Sequence, residues 1–134
     1  MTVLDRIEHL LSTRVDMLVF LRLDFRGFGS DSQVGRALND LVGRGVIVRY
    51  GVGVYARAKP SVLSGRPIPV RPLEVLAPQA LARLGVEVSP SRLVREYNAG
   101  RTTQVPSVLY LGIGSRRITR KLGFNGVFVR YERG

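Results

Sequence analysis

The chain has 134 residues, no cysteine and 21 Lys+Arg against 10 Asp+Glu, a formal net charge of +11 at pH 7. That length supports one ordinary domain or two small ones, with a core that needs no covalent staples. The lack of cysteine excludes disulfides and thiolate metal sites, and no apolar run approaches the roughly 18 residues of a membrane span.

The first ten residues, MTVLDRIEHL, carry charges where a signal peptide needs an apolar stretch, so a reducing cytoplasm is the expected compartment. The positive charge points to a polyanionic partner. It is uneven: residues 1–60 hold 9 Lys+Arg and 6 Asp+Glu, a net of +3, and residues 61–134 hold 12 and 4, a net of +8. Only Lys59 and Lys121 are lysines.

In chain order, Thr2 can cap a helix with apolar positions Val3, Leu4, Ile7, Leu10 and Leu11 and with Asp5 in the favourable first turn. The run MLVFL, residues 17–21, has no polar face and reads as a buried strand. RLDFRGFG, residues 22–29, suits a single helical turn ending at Gly27 or Gly29. Ser30 and Gln33 form a capping box. Behind it Val34, Ala37, Leu38, Leu41 and Val42 make one buried stripe, and the opposite face carries Ser32, Arg36, Asn39 and Gly43. Gly45 is the expected left-handed stop. VIVRY and VYAR then read as a β-hairpin joined through Gly51-Val52-Gly53.

Residues 58–74, AKPSVLSGRPIPVRPLE, hold four of the seven prolines and read as a stiff, extended connector. Beyond it, Leu73, Leu76, Ala77, Ala80, Leu81 and Leu84 have helical spacing, with Pro78 expected at a helix start or as a break. Ser89, Pro90 and Gly100 read as cap, first position and stop of a further helix. Residues 107–114, 116–122 and 126–132 are strand candidates, the last paired through Gly123-Phe124-Asn125-Gly126.

Helix, short strand, helical turn, capped amphipathic helix and basic hairpin is the order of a winged helix-turn-helix. The predicted fold class is therefore α+β: a winged helix-turn-helix over 1–59, a proline-rich connector over 60–72 and a small mixed α/β unit over 73–134. An α-helix fits the major groove of B-DNA, where Ser32, Gln33, Arg36 and Asn39 could reach base edges. Arg suits guanine, and Asn or Gln suits adenine. Arg49, Arg57 and Lys59 in the hairpin would meet phosphates or the minor groove. Asp31 and Asp40 temper the affinity of the helix alone. In the second unit Arg116, Arg117, Arg120, Lys121 and Arg130 would add positive charge, and the first four are candidate phosphate contacts. An acidic protein partner would suit the same charges.

Residues 17–57, with LDFRGFGSDSQVGRALNDLVGRGVIVRYGVGVYAR, resemble the N-terminal winged helix of AbiEi-like antitoxins of type IV toxin–antitoxin systems. The shared features are an Asp-Phe pair, a polar break, a helix ending in Leu-x-x-x-Gly and a hairpin ending in Gly-x-Tyr. EYNAGRTTQVP, residues 96–106, resembles the Asn-x-Gly-x-x-Thr-Gln-x-Pro signature of one branch of that group. The resemblance implies a repressor of its own promoter and a toxin partner of the nucleotidyltransferase type.

Nothing in the chain suggests catalysis. Asn98, Thr102, Thr103 and Gln104 suit turns and caps rather than chemistry. His9, the only histidine, sits in the first helix, and the Gly-rich stretches lack the context of a phosphate-cradling loop. No catalytic residue, cofactor or metal is expected. Double-stranded DNA is the expected partner, with no membrane and with the oligomeric state left open. Two other functions remain: a stand-alone DNA-binding regulator of a mobile element, and a basic RNA-binding or protein-docking module.

Overall fold

The computed structural model describes residues 1–86, 89–90, 110–113 and 120–132. It is a mixed α+β structure with three α-helices and antiparallel sheets, one of which also holds a parallel pair, and it divides into two units, Met1–Arg71 and Pro72–Gly134.

The first unit opens with α1, Val3–Thr13. The Thr2 hydroxyl accepts from the Asp5 N–H, and the Asp5 carboxylate accepts from the Thr2 N–H, so the first turn is capped reciprocally. β1, Val19–Leu21, follows, then a 3-10 turn over Arg22–Phe25 in which the Asp24 carboxylate accepts from the Leu21 N–H at 2.8 Å. α2, Asp31–Gly43, starts at the expected box: Ser30 Oγ accepts from the Gln33 N–H and Gln33 Oε1 from the Ser30 N–H. It ends where Gly45 takes φ +76°. A Cβ at 45 would also stand 2.8 Å from Pro67 Cγ, so both conformation and space call for glycine.

β2, Ile47–Gly51, and β3, Val54–Pro60, form the hairpin, and β1 pairs with the other side of β3 to give the order β1-β3-β2. Strand alternation puts Phe20, Ile47 and Tyr55 on the helix-facing side of the sheet. There they join Ile7, Leu11, Phe25, Val34, Ala37, Leu38 and Leu41 in one core. Val19, Leu21, Val48, Tyr50, Val54 and Ala56 point to the other side and are buried too. Burial on both faces explains the continuous apolar run of β1, as expected from its lack of a polar face.

The proline-rich stretch is extended but is not a free connector. β4, Pro67–Pro69, pairs antiparallel with Ala58–Pro60 of β3. The flanking bonds, Val70 N–H to Arg57 O at 3.0 Å and Ser61 N–H to Arg66 O at 2.8 Å, set the alternation of the ladder. Pro60, Pro67 and Pro69 then fall at positions that need no N–H, which is how three prolines fit one small ladder. Proline density signalled the extended backbone and hid the pairing.

The second unit opens with α3, Leu73–Arg83. Pro78 neither starts nor breaks it. Leu76, Ala77, Ala80 and Leu81 are fully buried on both sides of the proline, and that packing outweighs the loss of one ladder bond. Pro90 was expected at a helix start. Instead Ser89–Pro90 is a short strand, β5, pairing with Leu111 and Gly112 of β6, Tyr110–Gly112. The last strand candidate is split. β7, Gly123–Phe124, and β8, Val127–Phe128, form a hairpin across Asn125 and Gly126, both at positive φ, and β9, Arg130–Glu132, runs parallel to β6. The rest of the expected helix beyond Pro90, its stop at Gly100 and the motif 96–106 lie outside the described residues, as do Arg116 and Arg117.

Candidate nucleic-acid interface

α2 owes its orientation to its buried stripe. Val34, Ala37, Leu38 and Leu41 turn into the core, which leaves Ser32, Arg36 and Asn39 exposed on the opposite side. Arg44 ties this helix to α1: its guanidinium lies 2.8 Å from Asp40 and 3.5 Å from Glu8. Asp40 is thus neutralised locally. Arg36 and Ser32 have no hydrogen-bond or ion-pair partner among the described residues. Beside Arg36 a shallow groove of about 300 Å³ runs between the first turn of α1 and α2, lined by Thr2, Val3, Leu4, Gln33 and Asp40.

Gln33 is exposed, but its side-chain carbonyl is held in the cap by the Ser30 N–H, which fixes the side chain and leaves its amide NH₂ unengaged among the described residues. Asn39 is exposed, and its Oδ1 accepts from Arg49 Nη2. The expected reader on the helix and the expected phosphate contact on the hairpin are therefore one unit. Arg49 stands on β2 against α2 and not at the hairpin turn.

Arg57 leaves this surface altogether. Its Nε donates to Met17 O at 2.6 Å, and its Nη2 donates to Leu11 O at 2.8 Å and to Arg14 O at 2.6 Å. The guanidinium also lies 5.0 Å from the centroid of the Phe20 ring. A positive charge over the last carbonyls of α1 is a favourable cap. Burial pushes the Arg57 pKa down, and the nearby Asp16 carboxylate opposes that shift. The structure gives Arg57 a structural part, since three of its five guanidinium N–H groups donate to carbonyls 40 or more residues away in sequence.

Lys59 is exposed, five residues along β3 from Val54, about 17 Å from the turn end of the hairpin. The turn itself presents Val52, 87% exposed, and no cation. Lys59 therefore belongs to the opposite end of the sheet from Gly53.

Arg22 is a cation that the sequence pattern did not single out. Its N–H donates to Gly53 O at 2.9 Å and its Nη2 to Asp31 O at 2.7 Å, so it joins the 3-10 turn, the hairpin turn and the first turn of α2. The one sequence signal for it is Gly35, a glycine inside a well-capped helix.

In the second unit Arg120 and Lys121 are exposed. The Arg120 carbonyl accepts from the Tyr131 hydroxyl at 2.7 Å, and Lys121 Nζ lies 5.8 Å from the Phe128 ring centroid. Burial pushes the Tyr131 pKa up, against the opposing charge of Arg120. No helix among the described residues is long and apolar enough to cross a membrane.

No family model, no curated protein and no solved structure matches the chain.

Proposed function

We propose that residues 1–71 form a winged helix-turn-helix that binds duplex DNA sequence-specifically, and that the protein is an antitoxin-like transcriptional autorepressor of a toxin–antitoxin operon. One observation carries the DNA reading. α2 presents Ser32, Arg36 and Asn39 on an exposed face, with Arg49 held against that face from the hairpin side. The 3-10 turn and α2 make the helix-turn-helix pair, and the β2–β3 hairpin is the wing.

In this mechanism α2 enters the major groove. Arg36, without a partner among the described residues, offers its guanidinium fork to guanine O6 and N7. Asn39 holds Arg49 at the border of the groove, where phosphates are the nearer target. The net charge of +11 supplies sequence-independent attraction to the duplex.

The antitoxin part rests on the resemblance of residues 17–57 and 96–106 to AbiEi-like antitoxins. Footprinting on the DNA upstream of the protein's own gene tests the first part. Protection of a discrete site, with repression of a reporter from that promoter, is the expected result. Co-expression with an adjoining nucleotidyltransferase-type toxin tests the second. Relief of growth arrest is expected, whereas repression without relief leaves a stand-alone regulator. Tighter binding to RNA than to the matching duplex overturns both.

A further inference from the structure

Gly35 is out of place in α2. The helix has a capping box and an unbroken apolar stripe, yet its fifth residue is the poorest helix former after proline. The space above it explains why. A Cβ built at 35 would stand 3.1 Å from Arg22 Nη2, 3.5 Å from Nη1 and 3.7 Å from Cζ. The Arg22 guanidinium packs its Nη edge against the glycine.

Arg22 is held there from two sides, by its N–H on Gly53 O of the hairpin turn and by its Nη2 on Asp31 O of α2. It therefore occupies the notch between helix and turn. One helical turn further on, about 6 Å along the axis, Asn39 receives the guanidinium of Arg49 from the same side. Two arginines border α2 where it faces the hairpin. If α2 fills the major groove and the hairpin turn meets the neighbouring minor groove, the sugar–phosphate strand that separates the two grooves passes through this notch. Arg22 is exposed, and among the described residues only one of its five guanidinium N–H groups is engaged, with Asp31 O. A fixed fork with donors to spare matches a phosphodiester bidentately.

We infer that Arg22, packed against Gly35 in the notch between α2 and the hairpin turn, is a phosphodiester contact of the bound duplex, and that Gly35 is glycine to admit it. The inference rests on the duplex-DNA reading and adds to it a residue and a reason for a glycine.

The test is a salt titration of the full chain on operator and scrambled duplexes, with melting temperatures measured alongside. Arg22→Gln keeps a donor for Asp31 O and removes the charge. It is expected to weaken binding to both duplexes on the order of five-fold at 0.15 M salt and to lower the slope of log K against log salt by about one. Arg22→Lys is expected to retain the slope. Gly35→Leu keeps every charge and is a good helix former, but fills the space of the guanidinium, so it is expected to lower the slope as Arg22→Gln does.

A side chain at 35 that merely collided with the duplex would weaken binding at every salt and leave the slope unchanged, which overturns the role given to Gly35. An Arg22→Gln chain that melts lower but keeps the wild-type slope makes Arg22 a brace only and overturns the inference, while the DNA reading stands. A wild-type chain that binds no duplex removes the DNA reading and the inference with it.

Discussion

Arg49 and Arg57 stand on adjacent strands of one hairpin and on the same face of the sheet, since Arg57 pairs with Ile47 and Arg49 with Tyr55. Their surroundings differ completely. Arg57 reaches over Phe20 to two carbonyls at the end of α1, Leu11 and Arg14, and to Met17 O just before β1, and so ties that helix to the sheet. Arg49 lies exposed at the side of α2 and, among the described residues, bonds only to Asn39, itself on the exposed face. The residue type is the same, and the sequence context is similar. What separates a structural cation from an available one is the supply of unpaired carbonyls within reach. The end of α1 and the segment after it have them, whereas in the middle of α2 each carbonyl already accepts within the helix. A count of basic residues therefore overstates the surface open to a nucleic acid.

The largest expected effect comes from removing the scaffold that both arginines share. Leu38 is 0% exposed at the centre of the core, and Leu38→Ala should cost about 2–5 kcal/mol. Thermal melting should show the first unit destabilised, and duplex binding should fall with it. An unchanged melting temperature would mean that the stripe of α2 does not face a core.

Next, Arg57→Ala should cost about 1–3 kcal/mol of stability, through three lost charge-assisted bonds on a partly buried group. Measured below the melting transition, its salt slope on duplex DNA should match wild type. A lowered slope would return Arg57 to the binding surface and erase the contrast with Arg49.

Arg36→Ala sharpens the other side of the comparison. It should lose about 1–3 kcal/mol on the operator and little on scrambled duplex, with relaxed preference at one base position. Equal losses on both DNAs would show that α2 is not the reader. Arg49→Ala should be milder, weakening both DNAs alike and lowering the salt slope by about one, with the melting temperature unchanged.

The smallest effect is acidic. The Asp5 carboxyl is held below its ordinary 3.8, first by the Thr2 N–H and then by the Thr2 hydroxyl, and Asp16 is lowered chiefly by Arg14. Both groups titrate lower when folded. Their contribution is present above the unfolded value and is lost as pH falls through the lowered folded value. Melting curves taken between pH 5 and pH 3 should therefore fall slightly more steeply for wild type than for Asp5→Asn.

Much of the first unit was legible in the sequence because its signals are local. Thr2 with Asp5 and Ser30 with Gln33 sit three residues apart, and the stripe from Val34 to Leu41 spans two turns. Gly45 acts at its own position. The parts that were not legible depend on partners distant along the chain. Arg57 finds its carbonyls at Leu11, Arg14 and Met17. β4 looks like a linker until Lys59 is set against Ile68. Pro78 looks like a breaker until Leu76 and Leu81 are seen to be buried around it. At the candidate site, the exposed face of α2 could be read from periodicity. The Asn39–Arg49 bond and the position of Arg22 could not, since both depend on how the hairpin folds against the helix. Gly35 was the only visible trace, and a glycine on a polar face reads as ordinary until its neighbour is known.

The central claim is that the α2 face of residues 1–71 binds duplex DNA through its arginines. A salt titration of the wild-type chain on duplex from its own upstream region tests it most directly. With about five phosphates contacted, log K should fall against log salt with a slope of about −4 to −5. A flat response, or no binding to any duplex, would contradict it.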